Sequence, residues 1–171
     1  KSTTSYTNVH FRNSISEKTI LNAGIAATFD NRTLILGTVR LHDRDRSVEA
    51  RFNFSHHLAD GFKLLWGASD TYINEVQKIG LSSESGDIQL NVEDHTLGAF
   101  VESEIHVSKN LAFRPGLRAE YVTVLDRFNL APRLALALKI SDKSQLSGAW
   151  GHYFQNPESD YLKFNTRLNF E

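Results

Sequence analysis

The sequence predicts an all-β fold of antiparallel, up-and-down strands. Three observations predict it. Apolar residues recur at every second position almost throughout, the alternating runs are separated by short polar or turn-forming stretches, and neighbouring runs register as hairpins. No segment carries a 3.6-residue apolar stripe over three turns, and only three prolines interrupt the 171 residues.

Taken in order, the runs are these. Ser5–Ser14 comes first. Thr19–Phe29 sets Leu21, Ala23, Ile25, Ala27 and Phe29 against Asn22, Gly24 and Thr28. Leu34–His42 follows, then Ser47–His56, where Val48, Ala50, Phe52 and Phe54 alternate with Glu49, Arg51, Asn53 and Ser55. Phe62–Val76 carries Phe62, Leu64, Trp66 and Ala68 on one face. Thr96–Val107 places Leu97, Ala99, Val101, Ile105 and Val107 against Gly98, Glu102, Glu104 and His106. Leu111–Thr123 opposes Leu111, Phe113, Leu117, Ala119 and Tyr121 to Arg114, Gly116, Arg118 and Glu120. Ala131–Ile140 and Gln145–Phe154 make about nine strands, and Tyr161–Phe170 is a candidate tenth.

Counting up and down, one end holds the short turns Asp30-Asn31-Arg32, His57-Leu58-Ala59, Ser108-Lys109-Asn110 and Asp142-Lys143-Ser144. The other end holds short turns near Glu17-Lys18 and Arg44-Asp45, the polar stretch Gln77–His95, a Leu125–Asn129 loop and the segment beyond Gln155. Ser82–Asp94 is rich in Ser, Glu and Asp, so Leu81–His95 is expected to be a mobile, exposed loop. Short turns at one end and long loops at the other are the asymmetry of outer-membrane barrels.

Hairpin registers follow from the turns. Across Ser108-Lys109-Asn110, Ile105 meets Phe113, Val101 meets Leu117 and Ala99 meets Ala119, while Glu104 meets Arg114 and Phe100 meets Arg118. The turn at Asp142 pairs Ile140 with Leu146, Leu138 with Gly148 and Leu136 with Trp150. The turn at His57 pairs Phe54 with Phe62 and Ala50 with Trp66.

Composition excludes several functions. With 19 Lys and Arg against 20 Asp and Glu, the chain lacks the basic excess of a nucleic-acid binder, so no nucleic acid is expected as a partner. It has no cysteine, which removes disulfides, thiolate metal ligands and thiol catalysis. No apolar run approaches the roughly 18 residues of a transmembrane helix, and the opening Lys-Ser-Thr-Thr-Ser-Tyr is no signal peptide. The start at Lys1 and the lack of Met read as a piece of a longer protein. No G-x-S-x-G, phosphate loop, H-E-x-x-H or EF-hand motif is present. Glu102 and Glu104 share a face, but the opposing Arg114 and Arg118 make them members of an ion-pair ladder rather than a catalytic dyad. His56, His57 and Asp60 cluster at a turn, yet adjacent strand residues point to opposite faces. His42-Asp43-Arg44-Asp45-Arg46 reads as a solvated charge run at a turn, and His10, His95, His106 and His152 form no constellation. The expectation is no catalytic residue, no cofactor and no metal; the chain is not read as an enzyme.

Two architectures use such strands. A soluble barrel or sandwich turns its apolar face inward, whereas an outer-membrane barrel turns it to lipid and its polar face to a wet lumen. The polar face carries Glu49, Arg51, Glu102, Glu104, Arg114, Arg118, Glu120 and Arg133, which suits solvent or lumen alike. Phe54, Phe62 and Phe113 near one end, with Tyr121 and Phe154 near the other, resemble two interfacial girdles or equally a row of core aromatics. The pattern leaves both open.

Ordered strings in the C-terminal half go further. LGAFVESEIHV from Leu97, LAFRPGLRAEYV from Leu111, FNLAPRLALAL from Phe128 and SQLSGAWGHYFQNP from Ser144 resemble barrel strands of TonB-dependent outer-membrane receptors. The likeness covers about Leu97 to Pro157 and rests on the order of individually loose motifs. It implies part of a transmembrane β-barrel in the bacterial outer membrane. It also implies import of a scarce nutrient, with membrane lipid, the remainder of the barrel, a plug domain and TonB as partners. Glu102, Glu104, Arg114, Arg118 and Glu120 would then form a lumenal ion-pair ladder, and Val101, Ile105, Phe113 and Leu117 would face lipid. Ala135, Ala137, Ala149 and Gly151 would let a plug approach the wall, although small residues are common in lumen-lining strands. Neither a plug nor a TonB box is found in these residues, and nine or ten strands fall short of a 22-stranded transporter barrel. Residues 1–171 therefore read as one barrel segment that does not close by itself. The alternatives are a small independent outer-membrane barrel, a soluble carrier of an apolar ligand and, weakest, an outer-membrane hydrolase. The imported ligand is not legible.

Overall fold

The computed structural model describes residues 1–81 and 88–157. Among them are eight strands: β1 (Ser2–Ser16), β2 (Thr19–Leu36), β3 (Val39–Ala59), β4 (Phe62–Leu81), β5 (Ile88–His106), β6 (Leu111–Val122), β7 (Arg127–Ser141) and β8 (Ser144–Gly151). They form one sheet in sequence order, each antiparallel to the next. The candidate tenth strand, Tyr161–Phe170, lies outside the described residues.

The count falls from nine to eight because two expected turns are strand. Asp30, Asn31 and Arg32 keep ladder partners on both sides: Thr4 and Asp45, Thr3 and Arg44, Ser2 and Asp43. Turn-forming residues stay extended here because their side chains are satisfied in place. The Asp30 carboxylate accepts from Thr4 Oγ1 at 3.0 Å and pairs with Arg32 at 3.4 Å. Arg44-Asp45 likewise runs straight through β3. The chain reverses instead at Gly37-Thr38, where Leu36 pairs with Val39 and Gly37 takes φ +60. A glycine with positive φ at the first position is the demand of a two-residue hairpin turn matched to strand twist.

The expected loop Gln77–His95 is also mostly strand. Residues 88–95 pair with Ile79–Tyr72, and Asp94 is only 9% exposed. The polar composition of this stretch belongs to a strand with two wetted or partnered faces. Glu17-Lys18 moves to the end that holds Asp60-Gly61, the Val107–Asn110 connection and Asp142-Lys143, because β2 and β3 are each one long strand. The opposite end holds Gly37-Thr38, the β4–β5 connection and residues 123–126.

One register stands as expected and two slide. Ile105 pairs with Phe113, Val101 with Leu117, Ala99 with Ala119 and Phe100 with Arg118. At the β3–β4 turn the reversal sits at Asp60-Gly61, with Gly61 at φ +75 and a register shift between His57 and Ala59. Phe54 therefore meets Trp66, not Phe62, and Ala50 meets Asp70. At β7–β8 a shift between Lys139 and Ser141 pairs Leu138 with Leu146 and Leu134 with Trp150. Both displacements are even, so every side chain keeps its face.

The sheet curls about its polar face. Every buried residue among those described has that parity: Ser55, Gly67, Leu90, Val92, Asp94, Gly98, Val122, Asn129 and Ala131. Large apolar residues of the other parity stay open, among them Val101 at 44% and Leu117 at 40%. β4 comes close to β3 where Gly67 meets Asn53. A Cβ at Gly67 would lie 2.3 Å from the Phe52 carbonyl oxygen and 2.9 Å from Asn53 Cα and Cβ. Facing Cβ positions converge in this way on the inside of a curved sheet.

Candidate functional site

Over Leu97–His106 of β5 and over β6, the concave face carries the charges. In β5 and β6, Gly98 lies opposite Glu120, Phe100 opposite Arg118 and Glu102 opposite Gly116. Each of those carboxylates thus faces a glycine, with an arginine two residues away. A Cβ at Gly98 would sit 3.0 Å from Arg118 Nη2, and one at Gly116 would sit 3.2 Å from Glu102 Cγ. The two glycines leave lanes in which long side chains lie across the neighbouring strand. Arg118 reaches Glu120 Oε2 through Nη2 at 3.1 Å and Nε at 3.3 Å. Arg114 pairs through Nε with Glu102.

The structure therefore assigns partners differently from a straight cross-strand ladder. Glu104 does not take Arg114; it approaches His106 Nε2 at 3.9 Å along its own strand. Glu102, Glu104, Arg114, Arg118 and Glu120 nevertheless share one face, and Val101, Ile105, Phe113 and Leu117 share the other. The pairs are half-exposed, 48% for the Arg114 side chain and 26% for Glu102, so each contributes on the order of a surface ion pair, about 0–1 kcal/mol.

A second polar cluster lies above. Asp94 accepts from Thr123 Oγ1 at 2.8 Å, from the Val124 backbone N–H at 2.9 Å and from Thr96 Oγ1 at 3.0 Å. It ties the β6–β7 turn to β5. Within that turn Asp126 takes φ +47, and Tyr121 donates its hydroxyl to the Asp126 carboxylate at 2.8 Å. Sequence reasoning missed this cluster because its members lie 29 residues apart behind a stretch read as loop. The glycine lanes, by contrast, follow from the β5–β6 register once Gly98 and Gly116 are placed in it.

On β7 and β8, Ala135 faces Ala149, Ala137 faces Ser147 and Arg133 faces Gly151. Arg133 also lies over the Tyr153 ring at 5.2 Å. His56 and His57 leave by opposite faces: His56 shares a hydrogen bond with Thr19, and His57 opposes Lys63. Among the described residues no three His, Asp or Glu side chains gather as a metal site.

Comparisons with known proteins bear on the fold. The chain resembles the alcaligin outer-membrane receptor FauA from Bordetella pertussis, with TM-score 0.75 and 13% identity over 86% of this chain and 28% of FauA. The ferric preacinetobactin receptor BauA from Acinetobacter baumannii gives TM-score 0.61 and 12% identity over 86% of this chain and 30% of BauA. The toluene transporter TodX from Pseudomonas putida gives 0.53 and 9% over 87% of this chain and 54% of TodX. The chain thus spans under a third of the length of the two receptors, and at these identities the likeness shows the fold. No curated protein matches the chain. A family model described as TonB dependent receptor-like, beta-barrel, matches residues 1–169. That match takes in the long β2–β3 hairpin as well as the C-terminal motifs, and the chain belongs to the TonB-dependent receptor β-barrel family.

Proposed function

We propose that these eight strands are part of the wall of an outer-membrane barrel that imports a scarce nutrient. The concave face lines the lumen, and the face bearing Val101, Ile105, Phe113 and Leu117 meets lipid. One observation carries this reading: every buried residue among those described has the polar parity, while large apolar side chains such as Val101 and Leu117 lie open on the other. A soluble carrier of an apolar ligand would reverse that distribution.

Strand lengths support it. β2, β3 and β4 run 18, 21 and 20 residues, whereas about 9–11 tilted residues cross the hydrocarbon. The excess lies toward Gly37-Thr38 and the β4–β5 connection, which supports an extracellular position for that end. Among the described residues, β1 and β8 are the sheet's outer strands. An open edge cannot stand in hydrocarbon, so the remainder of the barrel pairs with them. The ion-pair face would then look toward a plug, with Ala135, Ala137 and Ala149 as a close-approach surface. TonB would act through that plug. This role is one of transport and not of catalysis.

By name, FauA is an alcaligin receptor and BauA a ferric preacinetobactin receptor, and the second makes ferric chelates the first ligands to test. The experiment is uptake of a panel of labelled ferric chelates in cells carrying the intact parent gene, in cells lacking it and in cells lacking TonB. Uptake of at least one chelate lost in both deletions is expected. Uptake that persists without TonB overturns the proposal.

A further inference from the structure

The convex face carries a hollow of about 590 Å³ that spans β2 to β7. It originates in a row of small side chains. Ala68, Ala99 and Ala119 stand side by side on β4, β5 and β6, and Ala23 and Phe52 complete the row on β2 and β3. The row beneath is tall: Phe54 stacks on Trp66 at 4.5 Å, and Val101 and Leu117 continue it. The row above is Ile25, Ala50, Asp70, Leu97, Tyr121 and Phe128, each opposite the next. Methyl groups between taller neighbours leave a trough, bordered on the β7 side by Tyr121 and Phe128.

Asp70 is out of character in its row. Every other member is apolar or aromatic, and of the residues lining the hollow on this face Asp70 alone is charged. A carboxylate among lipid-facing side chains is costly, and such a group is by default a candidate for function. The Asp70 side chain is 43% exposed. Its Oδ1 lies 3.3 Å from His95 Nδ1, and its Oδ2 has no partner among the described residues. The His95 ring packs in turn against Tyr72, with centroids 4.8 Å apart. The carboxylate is thus held from the row above, and its second oxygen is left to accept.

We propose that this trough binds an amphiphilic amine, with its ammonium on Asp70 and its apolar body lying across Ala99 and Ala119 to the rings of Tyr121 and Phe128. An apolar hollow of several hundred cubic ångströms with one placed polar group is the usual form of a small-molecule site. The sign of that group selects a cation, and the two rings favour an aromatic body. From Asp70 on β4 to Phe128 on β7 is three strand spacings, about 14 Å. That length suits an amine joined to a ring system by a short alkyl chain. The cost of the open carboxylate rests on the lipid-facing orientation proposed above, and the test separates the two.

The full-length receptor, delipidated in detergent, is titrated with dansylcadaverine, with N-pentyl dansylamide, which lacks the amine, and with dansyl-aminohexanoate, which carries a carboxylate instead. Energy transfer from tryptophan reports binding, because Trp66 stands in the row beneath the trough. The amine should bind at least tenfold tighter than either of the other probes. Asp70→Asn should bring the amine down to the level of the neutral probe and leave the neutral probe unchanged. Ala99→Phe, which fills the trough, should weaken both at least tenfold. The proposal is overturned if Asp70→Asn binds the amine like wild type, if the carboxylate probe matches the amine, or if Ala99→Phe leaves the affinities unchanged. A nitroxide attached at Leu97→Cys, in bilayers, reads the orientation independently. Response to oxygen without amine selectivity sinks this site alone, whereas response to a water-soluble nickel chelate sinks the orientation and the site with it.

Discussion

Replacing Gly67 by alanine tests the close approach of β3 and β4 on the concave face. The new Cβ would lie 2.3 Å from the Phe52 carbonyl oxygen and 2.9 Å from Asn53 Cα and Cβ. Those atoms are backbone and Cβ of a paired strand, so no flexible side-chain tip can swing away. Overpacking of this kind costs about 1–3 kcal/mol, and a rigid backbone contact belongs at the upper end. Alanine also narrows the unfolded ensemble, which returns about 0.4–1 kcal/mol. The net expectation is a loss of about 2 kcal/mol. Gly148 is the matched control, because nothing lies within 4 Å of a Cβ built there and its φ is not positive. Gly148→Ala should therefore gain about 0.4–1 kcal/mol. Reversible urea unfolding of the folded full-length receptor in lipid, followed by tryptophan fluorescence, would compare the two. Gly67→Ala with unchanged stability, or no separation between the variants, would refute that close approach.

Two further outcomes follow from the polar face. Asp94→Ala removes three hydrogen bonds from a nearly buried carboxylate and should cost about 1–3 kcal/mol. Hydrogen exchange should show the Val124 amide losing protection; unchanged protection would mean Asp94 does not hold the β6–β7 turn. A double-mutant cycle on Glu102→Gln and Arg114→Gln should yield a coupling of about 0.2–1 kcal/mol, given the exposure of the pair. A coupling of several kcal/mol would place the pair in a drier setting than the one described.

Strand type and face were legible from period-two alternation because side chains in a strand have nowhere else to point. The even register shifts at Phe54–Trp66 and Leu138–Leu146 left that reading of faces intact. Turn positions were less legible. Asp30-Asn31-Arg32 has turn chemistry but stays in the ladder, where Thr4 satisfies Asp30, while the reversal depends on the single glycine at position 37. The charge run at His42–Arg46 was misplaced for the same reason, and its segregation by face emerged only once β3 was seen to be continuous. The ion-pair residues were identifiable as a group but not by partner. Partner choice depends on the lanes above Gly98 and Gly116 and on diagonal reach, which opposite-residue pairing does not capture.

The assignment of faces to lipid and lumen is tested most directly by spin labels placed one at a time at positions 105, 117, 104 and 118 of the full-length receptor in lipid bilayers. Power-saturation with oxygen and with a water-soluble nickel chelate reports which medium each label meets. Labels at 105 and 117, on the apolar convex face, should respond to oxygen and not to the chelate. Labels at 104 and 118, on the concave charged face, should respond more strongly to the chelate. Oxygen-accessible labels at 104 and 118, with 105 and 117 shielded from both agents, would contradict the account and restore the inward-core fold.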